Sequence, residues 1–148
     1  MLIAIASNPK DFDRSLEWFS WLHELQPSYE RHWCLVIGAL TLDAASIGLL
    51  SSRARECGFR QVISVRAKEE PEIGWPVAAN AMWKLAADYA KDFVRCPFLW
   101  CESDAIPISE GWLDKIEAEY LASRKAFMGT IYPNPFKHLN GIAVYPEN

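Results

Sequence analysis

Short apolar segments alternate with longer amphipathic segments along nearly the whole chain, and this alternation constrains the fold more than any other feature. The short segments predict β-strands at residues 2–6, 33–37, 61–65, 98–101, 127–132 and 141–145. The first, second and fourth of them are continuously apolar. Such runs are typical of strands that are buried on both faces, as in a parallel sheet.

The segments between the strands have the spacing of apolar residues that is typical of helices. In the first, Leu16, Phe19 and Leu22 share one face, and Asp11 or Asp13 is predicted to cap its start. The other helices are predicted at residues 44–57, 76–91 and 110–122.

Three residues mark the ends of the second and third helices. Asp43 is predicted to cap the second helix, and contact with a ribose hydroxyl is its alternative role. Gly58 is the C-terminal stop of that helix, because glycine readily adopts the left-handed conformation found there. Pro76 is suited to the first position of the third helix, where its missing N–H costs nothing.

The resulting order, β-α-β-α-β-α-β-α-β-β, predicts an α/β protein with three layers, α/β/α. Strict alternation requires right-handed crossovers, so the sheet is expected to be mostly parallel with helices on both faces. The chain has 148 residues, the length of one domain. We therefore predict a single domain over residues 1–148.

Composition and charge exclude several classes of protein. The net charge of −4 argues against nucleic-acid partners, which need clustered lysine and arginine. There is no apolar run of the roughly 18 residues that a membrane span requires. The first residues lack the basic start of a signal peptide, and the four cysteines show no C-x-x-C pairing. We expect a cytoplasmic protein with reduced cysteines.

The carboxyl ends of the predicted parallel strands mark the edge of the sheet where α/β folds bind ligands. These ends are Ser7 and Asn8 after the first strand, residues 38–41, beginning with Gly38, after the second, residues from Arg66 onward after the third, and residues 102–104, with Glu102 and Asp104, after the fourth. In an extended chain, the side chains of residues i and i+2 point to the same face. Carboxylates are preferred ligands of Mg²⁺ and Mn²⁺, so Glu102 and Asp104 are candidate metal ligands. The alternative is a solvated strand end in which Asp104 caps a turn.

The surroundings of this acidic pair resemble the GT-A family of nucleotide-sugar glycosyltransferases. The resemblance lies in the segment FLWCESDAIP at residues 98–107 and in the Gly-Trp-Leu sequence at residues 111–113. The family has Asp-x-Asp after its fourth core strand, whereas this chain has Glu at the first position. The resemblance implies a Rossmann-like GT-A core in which Glu102 and Asp104 are the catalytic, metal-binding residues. The implied cofactor is Mg²⁺ or Mn²⁺, and the implied ligand is a nucleotide-diphosphate sugar.

The resemblance, together with the position of the predicted crevice and of the loop before the last strand, suggests roles for residues outside the acidic segment. Those expected to contact the nucleoside, phosphate or sugar are Ser7, Asn8, Gly38, Trp75, Asn80, Lys84 and His138. Ala79 stands where many members have arginine, and Lys84, one turn further along the predicted helix, is the proposed substitute. The alternative roles are structural. The indole of Trp75 would pack and close the loop, and His138 would be a histidine of a surface loop.

Three hypotheses about the function stay open. Family members continue beyond the segment matched here, with elements that bind the acceptor, so we expect a short or truncated member. The leading hypothesis is a glycosyltransferase with an unknown acceptor. The second is a catalytically incomplete module for binding or assembly, which includes a homo-oligomer. A nucleotidyltransferase ranks third, because Ser7-Asn8-Pro9-Lys10 is a poor match to its glycine-rich loop.

Overall fold

The computed structural model describes residues 1–68, 77–133 and 138–147. The strands are β1 (Leu2–Ser7), β2 (Trp33–Gly38), β3 (Gln61–Arg66), β4 (Phe98–Cys101), β5 (Met128–Tyr132) and β6 (His138–Tyr145). The helices are α1 (Phe12–Leu25), α2 (Ala44–Glu56), α3 (Val77–Tyr89) and α4 (Trp112–Ser123). A π-helical turn, Ala90–Val94, continues α3 and ends at Arg95, whose φ is 55°. The element order is the predicted one.

The strands form one sheet in the order β3-β2-β1-β4-β6-β5. Strands β1 to β4 pair in parallel, and β6 pairs antiparallel with both β4 and β5. The prediction of a mostly parallel α/β sheet is therefore confirmed. The strand order reverses between β1 and β4, so a ligand crevice is expected at the carboxyl ends of these two strands.

Alternating side chains of the strands feed two cores, one on each face of the sheet. Ile3, Ile5 and Leu99 face the core that α1, α2 and α4 cover. Leu2, Ala4 and Trp100 face the opposite core, which α3 covers. Both faces of the inner strands are buried, which explains their continuously apolar sequences and confirms the three-layer prediction.

The helix ends agree only in part with the predicted capping residues. Asp43 caps α2 as predicted, since its carboxylate accepts hydrogen bonds from the N–H and Oγ of Ser46 at 2.8 and 2.7 Å. These bonds lower the pKa of Asp43. Gly58 has a φ of 74°, as a C-terminal stop requires. The carboxylate of Asp11 makes no capping bond at the start of α1.

Other differences lie at the ends of α3 and β6. The third helix was expected to continue to residue 91, but its α-helical part ends at Tyr89 because the chain widens into the π-helical turn. Strand β6 begins at His138 rather than at residue 141, since its first residues pair with β5. The predicted start of α3 at Pro76 lies outside the described residues.

Candidate functional site

A pocket of about 610 Å³ opens at the carboxyl ends of β1 and β4, between the start of α1 and the start of α3. Both carboxylic acids of the predicted pair line it, and so does Trp100 of β4. Its remaining lining residues are Ala6, Asn8, Pro9, Lys10, Asp11, Arg14, Ala39, Thr41, Ala78, Ala79, Met82, Cys101 and Ser103. The pocket therefore lies at the crevice where the strand order reverses.

The backbone after β4 is fixed around the acidic pair. Ser103 is buried between Glu102 and Asp104, and the N–H of Ala105 donates to the Glu102 carbonyl oxygen at 3.0 Å. The indole N–H of Trp18 donates to the carbonyl of Ala105 at 2.8 Å. The neighbouring indole of α1, that of Trp21, donates to the carbonyl of Pro107 at 2.7 Å. Helix α1 thus holds the segment that follows the acids, a link that helical periodicity does not reveal.

The carboxyl group of Glu102 packs against β6. Pairing of Trp100 with Ala143, continued for two residues, brings Glu102 opposite Gly141. A Cβ atom at position 141 would overlap the carboxyl group of Glu102, so the glycine leaves the room that this group occupies. Partial burial raises the pKa of Glu102, and the negative charges of Asp104 and Asp11 raise it further.

Three residues that were expected at the nucleoside are engaged in structural contacts. Asn8 lines the pocket, but its Oδ1 accepts from the backbone N–H groups of Lys10 and Asp11 at 2.8 and 3.3 Å. Ser7 is buried and accepts a hydrogen bond from Ser15 at 3.1 Å. Gly38 is buried against the side chain of Ile47, which a Cβ atom would overlap. Beyond Gly38, Ala39 and Thr41 are the residues that line the pocket.

The remaining predicted residues are not brought together at the pocket by the described part of the structure. Asn80 is exposed on α3 and does not line the pocket. Lys84 points away into an ion pair with Asp88 at 2.7 Å. Trp75 lies outside the described residues, as does the side chain of His138; the backbone of His138, in β6, pairs with Tyr132 of β5.

Two cations of this pocket were not predicted from the sequence. They are Lys10, in the turn before α1, and Arg14, in the first turn of α1, and both line the pocket together with the acidic pair. Arg14 lies 3.7 Å from Asp11. The signal was present in the sequence, because Lys10 follows β1 at the same edge of the sheet as Asn8.

A second group of titratable residues lies at the opposite edge of the sheet, before β1 and β2. Buried His32 has its Nε2 3.3 Å from the carboxylate of Asp114, and burial lowers its pKa. Glu117 accepts from the amino group of Met1 at 2.5 Å, and Arg31 pairs with Asp114 at 2.8 Å. Although an imidazole and two carboxylates converge here, an ammonium and a guanidinium already offset the acidic charge. We interpret this group as an ion network that ties α4 to the sheet.

The parallel core with strand order β3-β2-β1-β4, together with an acidic pair at the end of β4, defines the class of fold. No family model matches the sequence, and no curated protein sequence matches it. Solved structures do match, and they are GT-A glycosyltransferases. The chain therefore has the GT-A glycosyltransferase fold, as the sequence predicts.

Three of these structures illustrate the match. The mannosyltransferase PcManGT from Pyrobaculum calidifontis, in complex with GDP-Man and Mn²⁺, is 12% identical with a TM-score of 0.63, covering 97% of this chain and 43% of that chain. The galactosyltransferase LgtC, in complex with donor and acceptor sugar analogs, is 10% identical with a TM-score of 0.60, covering 99% and 58%. An active-site mutant of LgtC is 10% identical with a TM-score of 0.55, covering 99% and 57%. This chain thus spans about half the length of these neighbours.

Proposed function

We propose that the chain binds a nucleotide-diphosphate sugar in this pocket, through a divalent cation held by Glu102 and Asp104, and transfers the sugar to an acceptor. The observation that carries the proposal is the position of this acidic pair. Both acids line a pocket at the reversal point of a GT-A sheet.

The chemistry of the pair fits Mg²⁺ or Mn²⁺. Both ions prefer oxygen ligands and are commonly held by one or two carboxylates together with substrate phosphates. Partial burial raises the pKa of Glu102, and repulsion from Asp104 and Asp11 raises it further; a cation would offset that repulsion. When bound, such an ion neutralises the charge that develops on a diphosphate leaving group. The ion-binding role of Glu102 then depends on the space that Gly141 leaves for its carboxyl group.

The solved neighbours support the same class of ligand. PcManGT was crystallised with GDP-Man and Mn²⁺, and LgtC with analogs of a donor and an acceptor sugar. A cytoplasmic location is part of the proposal, and the four free cysteines support it. Among the described residues, no helix is long and apolar enough to cross a membrane.

Calorimetry with UDP, GDP and their sugar conjugates, with and without Mn²⁺, tests the proposal. We expect metal-dependent binding that Asp104→Asn abolishes. Asp13→Asn is the matched control, because Asp13 is an exposed acid on α1 that does not line the pocket. If the wild-type chain binds none of these nucleotides, or if Asp104→Asn binds them like wild type, the proposal is wrong.

One observation favours the alternative of a binding or assembly module. The edge strand β5 and the residue before it expose large apolar side chains, with Phe127 54% and Ile131 63% accessible. Exposed apolar surface on an edge strand is typical of contact with another chain, including a second copy in a homo-oligomer. Sedimentation combined with a sugar-transfer assay separates the two functions. A monomer that releases UDP or GDP from a sugar nucleotide supports the enzyme and contradicts the module.

A further inference from the structure

The pocket contains more acid than base, and this imbalance bears on how it could bind a diphosphate. Its described lining includes three carboxylic acids, Asp11, Glu102 and Asp104, and two cations, Lys10 and Arg14. A divalent cation on Glu102 and Asp104 would offset the charges of those two acids. The charge of Asp11 must then be neutralised before a diphosphate can enter the pocket.

Arg14 supplies that neutralisation. Its guanidinium lies 3.7 Å from the Asp11 carboxylate, one helical turn away on α1. Both side chains are partly exposed, so the pair contributes little to stability, but it removes one negative charge from the rim of the pocket. Lys10 is then the remaining cation of the described lining.

Lys10 is available and its backbone is well placed. Its N–H donates to the Oδ1 of Asn8 at 2.8 Å, which fixes the backbone of Lys10 at the mouth of the pocket. Within residues 1–68, 77–133 and 138–147, its ammonium group forms no ion pair. An unpaired ammonium on a flexible stem is a suitable point charge for a phosphate.

The other candidate cation lies elsewhere. Helix α3 presents Ala79 to the pocket, so it offers no charge at that position. Lys84, one turn further on, is 72% accessible and is engaged with Asp88 at 2.7 Å. The charge that α3 lacks is therefore offered by the segment between β1 and α1, which carries Lys10.

We infer that Lys10 is the phosphate-binding cation of the donor site, with Arg14 acting indirectly by neutralising Asp11. The inference rests on the proposed function, since it assigns a residue to the diphosphate of the same ligand. It also predicts which part of the ligand is recognised. Removal of the Lys10 charge should weaken binding of a nucleoside diphosphate and leave binding of the free nucleoside unchanged.

The test compares Lys10→Met, Lys84→Met and Lys91→Met by calorimetry with UDP and GDP, and with uridine and guanosine, in the presence of Mn²⁺. Methionine keeps most of the length of the side chain and removes its charge. Lys91 is an exposed lysine outside the pocket and serves as the neutral control. Loss of one charge-assisted contact predicts that Lys10→Met binds about tenfold more weakly. Lys84→Met and Lys91→Met should stay within about twofold of wild type.

Each outcome decides a different question. If Lys10→Met retains wild-type affinity, or if Lys84→Met loses affinity in its place, the inference is wrong while the proposed function stands. If Lys10→Met loses affinity for uridine or guanosine as strongly as for the diphosphates, Lys10 holds the nucleoside and the inference is again wrong. If the wild-type chain binds neither diphosphate, the proposed function itself fails. Thermal unfolding of each variant checks that the fold is intact.

Discussion

Replacement of Gly141 by alanine tests whether β6 positions the carboxylate of Glu102, the proposed metal ligand. The new Cβ atom would lie 2.2 Å from the carboxyl carbon of Glu102 and 2.2 and 2.4 Å from its two oxygens, closer than any ordinary contact. Glu102 is exposed, so its side chain can swing away at little cost to the fold. The carboxyl group must then move by about 1 Å or more to restore a normal carbon–oxygen contact. We therefore expect a change in metal affinity with little change in stability.

The size of the effect follows from the demands of the metal. Mg²⁺ requires near-ideal geometry with oxygens at about 2.0–2.1 Å, so a displaced carboxylate no longer serves as a ligand. Loss of the groups that orient a ligand typically lowers metal affinity by about 10–100-fold, or about 1.4–2.7 kcal/mol. Mn²⁺ titration in the presence of UDP or GDP measures this loss directly. Glu102→Gln sets the upper limit of the expected effect.

Gly48→Ala is the matched control for this substitution. A Cβ atom at Gly48 meets nothing within 4 Å, and the residue lies inside α2, away from the pocket. Alanine should stabilise that helix by about 0.5–1 kcal/mol and leave metal affinity unchanged. The reasoning is refuted if Gly141→Ala binds Mn²⁺ like wild type while Glu102→Gln does not. In that case Glu102 would reach the metal from a different rotamer, and Gly141 would not position it.

Two further predictions concern the aromatic residues of α1 and its surroundings. Trp18→Phe removes the hydrogen bond from the indole N–H to the carbonyl of Ala105. We expect the free energy of unfolding, measured by chemical denaturation, to fall by about 1–3 kcal/mol, and Mn²⁺ to bind more weakly. Unchanged Mn²⁺ affinity would contradict the link between α1 and the acidic segment. Burial raises the pKa of Tyr29 to about 12 in the folded chain, above the ordinary value of 10.0. The folded chain therefore holds the phenolic proton more tightly than the unfolded chain does. This contribution to the free energy of unfolding is complete below pH 10 and is lost as the pH rises toward 12. Between neutral pH and pH 11, the free energy of unfolding of wild type should therefore fall by about 1.4 kcal/mol more than that of Tyr29→Phe. If urea unfolding gives parallel pH profiles for the two proteins, this prediction is wrong.

The inner strands could be predicted from the sequence because burial on both faces leaves a continuous apolar run. Strand β4 was predicted with its observed bounds, Phe98–Cys101, for this reason. The alternation of strands and helices then implied parallel pairing, and the ligand edge followed from that pairing. These inferences use local patterns and general rules of chain connection, which a single sequence contains.

The order of the last two strands could not be predicted, because it depends on which edge of the sheet each strand meets. Strand β6 inserts between β4 and β5, although β5 precedes it in the chain. This insertion brings Gly141 against Glu102. Nothing in the local sequence of either strand indicates the contact, since the two residues are far apart along the chain. The positioning of the proposed metal ligand is therefore a property of the tertiary fold.

The cations of the pocket show a different reason for failure. The resemblance to the GT-A family directs attention to α3, where Ala79 replaces the expected arginine, and Lys84 was the nearest substitute in sequence. The structure instead offers Lys10, from the turn before α1, and Arg14, from the first turn of α1. Charge at a binding site is constrained by distance to the ligand and not by the element that carries it. Either wall of a pocket can therefore supply the cation. A motif on one helix does not reveal a cation that the other wall supplies. It follows that the electrostatics of this pocket should be tested by substitutions on both walls at once, with Lys10 and Lys84 compared in the same titration.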